Sequence, residues 1–379
     1  MKRKRFSLER IGGGIRALAL LAGLLPLLAA PGAASARDYP TLVALGRLWP
    51  LDTDQGLIST VVYADHESRG YWGGGQLNIR LDTVVLNAGM RHTLTDGFGL
   101  GYRLRATTIV EGYGEDLYVR GTRLKAAAFN GGSLAGIGTL LLNPEGRWRA
   151  ELDLESGRAG FYTVAEGAKE PGLPPDFRQR VAQLRLIFED TPGKEGHKLS
   201  LTLAQGERRG WRVWALDPAG KSRGRYQRFE GEAQGVRDWG GGHSSTAGVY
   251  GLFGKEVDLF SGFNVGGMAG AYSVAGYYRN EMRARAGWVL NLKHDAAFAS
   301  DRVVTVMLDG ARVTPQEQPW LAEEPARRYL SGYALGYRHG LRSLGGLPII
   351  LRYGQALRIP EGSPESQRRE VALIVAAGF

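Results

Sequence analysis

A chain that alternates apolar and polar residues over ten or more positions, many times over, has few folds open to it. Phe98, Leu100, Tyr102, Leu104, Ala106, Thr108 and Val110 share one face of a strand, with Gly99, Gly101, Arg103, Arg105, Thr107, Ile109 and Glu111 on the other. The pattern returns at 147–155, where Trp148, Ala150, Leu152 and Leu154 oppose Arg147, Arg149, Glu151, Asp153 and Glu155. It returns again from Met282 to Lys293 and from Tyr329 to Arg338. A side-chain period of two is the mark of a strand with unlike faces. These segments reach about ten residues, the length a tilted strand needs to cross a bilayer, whereas strands of soluble proteins average about half that. Aromatics sit near the ends of the apolar faces (Trp148, Trp288, Tyr329, Tyr337), as at a membrane interface.

The first residues belong to export rather than to the fold. Lys2, Arg3, Lys4, Arg5, Arg10 and Arg16 form a positive region, 17–30 is apolar, and Ala34-Ser35-Ala36 is a small-residue cleavage site. The expected organisation is a signal peptide over 1–36, a short periplasmic segment over 37–56 and a barrel over 57–379. The net charge of +10 shrinks accordingly. Residues 1–36 hold six of the 48 Lys and Arg and one of the 38 Asp and Glu, leaving +5 for the rest. With no basic stripe interleaved with aromatics, nucleic-acid binding is not expected. Cysteine is absent, so no disulfide framework supports an exported chain. Glycine, at 56 of 379 residues, is about twice its average usage and favours strands and tight turns over helices.

The connections alternate in length. Thr95-Asp96-Gly97 and Pro144-Glu145-Gly146 are short turns, while 166–176 and 315–328 are long and polar, as expected of the extracellular end. Val371, Leu373, Val375, Ala377 and terminal Phe379 form one apolar face of a last strand, a pattern that resembles the assembly signature of bacterial outer-membrane barrels. These features predict an all-β protein: an antiparallel transmembrane β-barrel. A closed barrel satisfies every backbone polar group in lipid, which an open sheet does not.

Residues 263–278 carry a more specific likeness. Gly266-Gly267 is followed by Ser273-Val274-Ala275-Gly276-Tyr277, which resembles the inward-folded loop of the BamA/TamA family of outer-membrane assembly and translocation barrels. Val274, Gly276 and Tyr277 match the family's pattern, and Ala275 stands where the family has an arginine that latches the loop to the barrel wall. The resemblance implies sixteen strands, five of them after the loop. Five candidates follow Tyr278, at 281–298, 301–313, 327–343, 347–360 and 367–379. Eleven precede it, starting near 57–65 and including 121–131 and 134–143. Twelve or fourteen strands are the alternatives. The family's periplasmic POTRA domains have no counterpart ahead of the first candidate strand, so the resemblance covers the barrel alone.

Site chemistry is sparse. Arg103, Arg105, Arg147, Arg149, Glu151, Asp153, Glu155, Arg283 and Arg285 fall on polar faces and are expected to line the lumen, as neutralising pairs or as a weakly cationic pore. His243-Ser244-Ser245 brings a histidine close to a serine, as in outer-membrane phospholipases. Thr246 breaks their His-x-Ser-Asn-Gly pattern, so a turn is the expected reading. The histidines show no metal-ligand spacing, and Gly73-Gly74-Gly75 lacks the Lys-Ser/Thr of a phosphate loop. The chain is therefore expected to be no enzyme and to need no cofactor or metal. Its expected partners are outer-membrane lipid and lipopolysaccharide, the barrel-assembly machinery and a periplasmic protein. A passive porin-like channel is the alternative function.

Overall fold

The computed structural model describes residues 42–50, 59–70, 73–81, 84–94, 99–109, 118–119, 122–123, 129–143, 146–164, 173–190, 196–210, 224–258, 260–267, 272–277, 281–316, 328–341, 347–359 and 368–378. The signal peptide, the Thr95–Gly97 turn, Glu111 and Phe379 lie outside the described residues.

The strands follow one another up and down. β1 (Leu42–Pro50), β2 (Ser59–Gly70), β3 (Gly73–Leu81), β4 (Val84–Leu94) and β5 (Leu100–Ile109) come first. A small hairpin, β6 (Tyr118–Val119) with β7 (Thr122–Arg123), forms a sheet of its own. Then come β8 (Phe129–Leu142), β9 (Trp148–Val164), β10 (Phe177–Glu189), β11 (Gly196–Arg209), β12 (Arg225–Gly240) and β13 (His243–Lys255). After β14 (Phe263–Val265) follow β15 (Met282–Ala299), β16 (Arg302–Pro315), β17 (Arg328–Leu341), β18 (Leu347–Ala356) and β19 (Arg369–Gly378). Among the described residues, seventeen strands make one sheet. One of them, β14, has three residues, and the other sixteen have nine or more.

Each long strand pairs antiparallel with the next, β5 passing over the small hairpin to β8 and β13 passing over β14 to β15. β1 pairs with β2 on one side and with β19 on the other, from Leu42↔Gly378 to Pro50↔Glu370. This corrects the expected periplasmic segment at 37–56, since 42–50 is a strand of the sheet. Its near-continuous Leu-Val-Ala-Leu run alternates too weakly to announce itself. A second correction lies at 121–131 and 134–143, read as two strands. One strand, β8, runs through 129–142, and Gly131-Gly132 is not a break. The register with β9 shifts between Asn130 and Gly131, a β-bulge in which a Cβ on Gly131 would lie 2.7 Å from the Gly160 carbonyl oxygen.

Burial is inverted relative to a soluble protein. Trp148 (65% exposed), Leu154, Leu201, Leu203, Phe253, Trp288, Leu308, Leu335 and Leu351 present their side chains outward. Thr139, Asp153, Ser200, Thr202, Asp309 and Glu370, on the opposite face of the same strands or their neighbours, are buried. A sheet that exposes its leucines and hides its carboxylates is arranged for a hydrocarbon surround. The short turns at 241–242 and 300–301 lie at one end of the sheet, and longer connections join β9 to β10, β11 to β12 and β16 to β17 at the other.

Candidate functional site: a loop seated on the inner wall

The segment between β13 and β15 does not stand clear of the sheet. Phe263, Val265, Val274 and Tyr277 are buried together with Leu252, Val289, Ala311, Val313, Leu330 and Ala356. The latter belong to the inner faces of β13 and β15–β18, so this apolar cluster lies between the loop and the wall. Ala275 packs on Ala334 of β17 and Ala372 of β19.

The approach is close because glycine allows it. Gly276 has φ +82°, and a Cβ there would lie 1.8 Å from the Ala356 amide nitrogen. A Cβ on Gly332 would lie 1.9 Å from the Ala275 carbonyl oxygen. Gly266 and Gly267 also have positive φ, and Gly267 bridges to Val274, folding the segment back on itself.

Two consecutive backbone amides then meet two carboxylates. The Ala275 N–H donates to Asp309 Oδ2 at 3.0 Å, and the Gly276 N–H to Glu370 Oε1 at 3.1 Å. Asn291 joins this group, donating to Asp309 Oδ1 and to the Ser273 carbonyl oxygen, both at 2.8 Å. The Tyr277 hydroxyl donates to the Arg358 carbonyl and accepts the Ser331 N–H at 3.3 Å. Burial pushes the Tyr277 phenol up to about 12. The Tyr272 hydroxyl donates to Glu230 of β12, and burial, reinforced by that carboxylate, raises its pKa well above the ordinary phenol value.

Ion pairs hold both ends of the loop. At its start, Asp258 accepts the Phe260 and Ser261 amides and pairs with Arg208 of β11. The Arg208 guanidinium lies 5.0 Å from the Phe177 ring centre and 4.9 Å from that of Tyr226. At its end, Glu281 pairs with Arg368, the two side chains 2% and 1% exposed. Phe260 also meets the Phe161 ring of β9 at 5.4 Å and the Phe177 ring of β10 at 5.8 Å, so the loop reaches β9–β13 and β15–β19.

The predicted loop residues Gly266, Gly267, Ser273, Val274, Ala275, Gly276 and Tyr277 are therefore brought together. Of the C-terminal residues, Val371 and Leu373 lie half-buried on the face opposite Ala372, and the side chains of Val375, Ala377 and Phe379 fall outside the described ones. The predicted charges divide. Arg103 pairs with Glu151 and Arg105 with Asp153, both at 3.2 Å. Arg149 pairs with Glu189 at 2.9 Å, and Glu155 accepts from Gln179 at 2.6 Å. Arg283 is buried. Arg147 is exposed in the short turn before β9. Arg285, expected inward, is exposed as the extra residue of a bulge where the β15–β16 register shifts between Ala284 and Ala286. His243, Ser244 and Ser245 open β13 rather than forming a turn. Ser245 Oγ is 2.9 Å from His294 Nδ1, but the far nitrogen of that ring faces His243 at 3.4 Å instead of a carboxylate. Among the described residues no group of three His, Cys, Asp or Glu could hold a metal.

Sequence reading missed Asp309, Glu370, Asn291, Arg208 and Arg368. A signal existed for the first: Asp309 is the single acid on the inward face of β16, among Val303, Thr305, Met307, Ala311 and Val313.

No family model matches the chain, and no curated protein matches it in sequence. Solved structures match in fold. BamA from Haemophilus ducreyi, lacking POTRA domains 1–3, superposes with a TM-score of 0.58 at 14% identity, over 90% of this chain and 71% of that one. CdiB from Acinetobacter baumannii gives 0.56 at 11%, over 90% and 60%. CdiB from Escherichia coli gives 0.56 at 13%, over 90% and 63%. The chain thus spans under two thirds of either CdiB structure. What is shared is the fold, that of an outer-membrane β-barrel.

Proposed function

We propose that the chain is a closed, sixteen-stranded outer-membrane barrel of the BamA/TamA kind, with the loop at 263–277 as a lid across its lumen. In this reading the barrel assembles, inserts or translocates membrane components and carries out no catalysis. The long connections face the cell exterior and the short turns the periplasm. The observation that carries the reading is the seating of Ala275 and Gly276 on Asp309 and Glu370. The latch expected from the family resemblance is ionic. Here two backbone donors meet the wall's carboxylates, so the loop keeps its place with alanine in the arginine position. Both amides are buried, and an acceptor on the wall spares each of them the cost of a buried donor left unpaired.

A passive channel is the second reading. It is favoured by the paired charges of Arg103, Arg105, Glu151 and Asp153 on β5 and β9, which take no part in the loop's hydrogen bonds and ion pairs described above. Conductance in planar bilayers separates the two. A lidded barrel should show small, flickering currents that become large and steady when 266–277 is deleted. A large steady conductance already in the intact chain, unchanged by the deletion, would sink the lidded reading and leave the channel.

A further inference from the structure

On the outward face, near the end of the short turns, Gly235 of β12 and Ala247 of β13 stand side by side. Gly235 is in register with His197 of β11, and Ala247 with Leu292 of β15, which faces Leu308 of β16. Two residues with almost no side chain, between larger ones, leave a cleft of about 450 Å³ that Arg237, Ser245, His294 and Val306 also line. Arg237, Ser245 and His294 form the next row toward the turns, each in register with the next.

This row is polar and tied together. The Trp239 indole N–H donates to Ser245 Oγ at 2.9 Å, and Ser245 meets His294 at the same distance. The Arg237 guanidinium lies 4.3 Å from the Trp239 ring centre and has no carboxylate partner among the described residues. The neighbouring acids are engaged. Asp190 accepts the His197 backbone N–H, Asp238 the Gly240 N–H, and Asp295 on the opposite face bonds Lys293 and Thr305. Above the row the same face carries exposed Leu199, Val249, Leu292 and Leu308, and beside it exposed Trp239 and Phe298. Exposed Trp and Phe at the end of an apolar band mark the depth of lipid headgroups.

We infer that this cleft binds the phosphate of an anionic phospholipid in the leaflet at the short-turn end. Arg237 supplies the charge, Ser245, its oxygen accepting from Trp239 and from His294, donates the hydrogen bond, and one acyl chain lies over Gly235 and Ala247. An arginine held at an interface without a counter-ion suits a phosphate, which takes two of its parallel N–H groups. The apolar wall directly above selects a lipid over free phosphate. The inference rests on the membrane reading alone, not on the barrel's role.

The test is native mass spectrometry of the full chain released from nanodiscs made of phosphatidylcholine and phosphatidylglycerol with identical acyl chains. The wild type should retain phosphatidylglycerol over phosphatidylcholine by about tenfold, equivalent to roughly 1.4 kcal/mol. The double variant Arg237→Gln/His294→Gln should lose that preference, while Arg312→Gln, at the other end of the outward face, keeps it. Equal retention by the wild type, or a preference untouched in the double variant, overturns the proposal. A chain that never enters the bilayer overturns the membrane reading and this site with it. Entry without headgroup preference overturns this site alone.

Discussion

Gly276 meets its neighbour with no room to spare. The atom a Cβ would strike is the backbone nitrogen of Ala356, which no side-chain rotation can move aside. The φ of +82° adds strain for any L residue, about 1–2 kcal/mol before the clash is counted. Gly276→Ala should therefore lift the loop off the wall, measurable as new protease cleavage between 263 and 281 in the folded protein. Gly251→Ala, whose Cβ would meet nothing within 4 Å, should leave cleavage and stability unchanged. Asp309 gives a second test at this scale. It accepts from Ala275 and from Asn291, so Asp309→Leu strands two buried donors at about 1–3 kcal/mol each. Asp309→Asn keeps one carbonyl oxygen and should cost less, with the order of the two variants read by denaturant unfolding in lipid. A reversed order would remove Asp309 from the seat. Neither contact was legible in the sequence. The partners of Ala275 and Gly276 lie 34 and 94 residues further along, and only the folded sheet brings them beneath the loop.

The loop as an element is clamped at its ends and hydrogen-bonded at its tip. Arg368 and Glu281 form a fully buried pair, and removing one partner takes from the other the opposite charge bonded to it, at a cost of about 3–5 kcal/mol. Arg368→Met should destabilise by that order, and adding Glu281→Gln should recover part of the loss. No recovery in the double variant would mean that the two residues act separately. Alkali gives a softer probe. The Tyr277 phenol is raised from 10 to about 12, so the folded state holds its proton more tightly than the unfolded state. Its contribution is complete below pH 10 and fades as pH rises through about 12. Protease cleavage of the loop should increase across that interval in the wild type and less so in Tyr277→Phe, where no phenol remains to ionise. Strand assignment from sequence succeeded where alternation was strict, in β5, β9, β15 and β17. It failed where alternation was weak or interrupted. β1 is apolar on both faces over its first four residues, and the extra residues Tyr162 of β9, opposite the Asn130–Gly131 step, and Arg285 of β15 shift their strands by one, which parity counting does not see.

At the scale of the whole molecule, one rule accounts for most of what is exposed and what is hidden: hydrocarbon lies outside the sheet and polar matter inside. The alternation made that rule readable, because a period of two assigns whole faces at once. It did not tell which face the loop would cover, nor that a buried apolar cluster would lie between a loop and a wall rather than between two layers. The rule makes a paired prediction. Leu201, 50% exposed near the middle of β11, should face the centre of the bilayer, whereas Thr202 beside it is buried inward. Leu201→Arg should cost about 2–4 kcal/mol in unfolding from lipid vesicles, the depth-dependent penalty for a charge at the midplane. The same substitution at Trp239, near the short turns and 57% exposed, should cost about 1 kcal/mol or less in charge burial, because headgroups and water reach that depth. If the two substitutions cost the same, or if Leu201→Arg is as mild in vesicles as a surface change in a soluble protein, then the exposed leucines do not face lipid. The membrane orientation of every strand would then have to be redrawn.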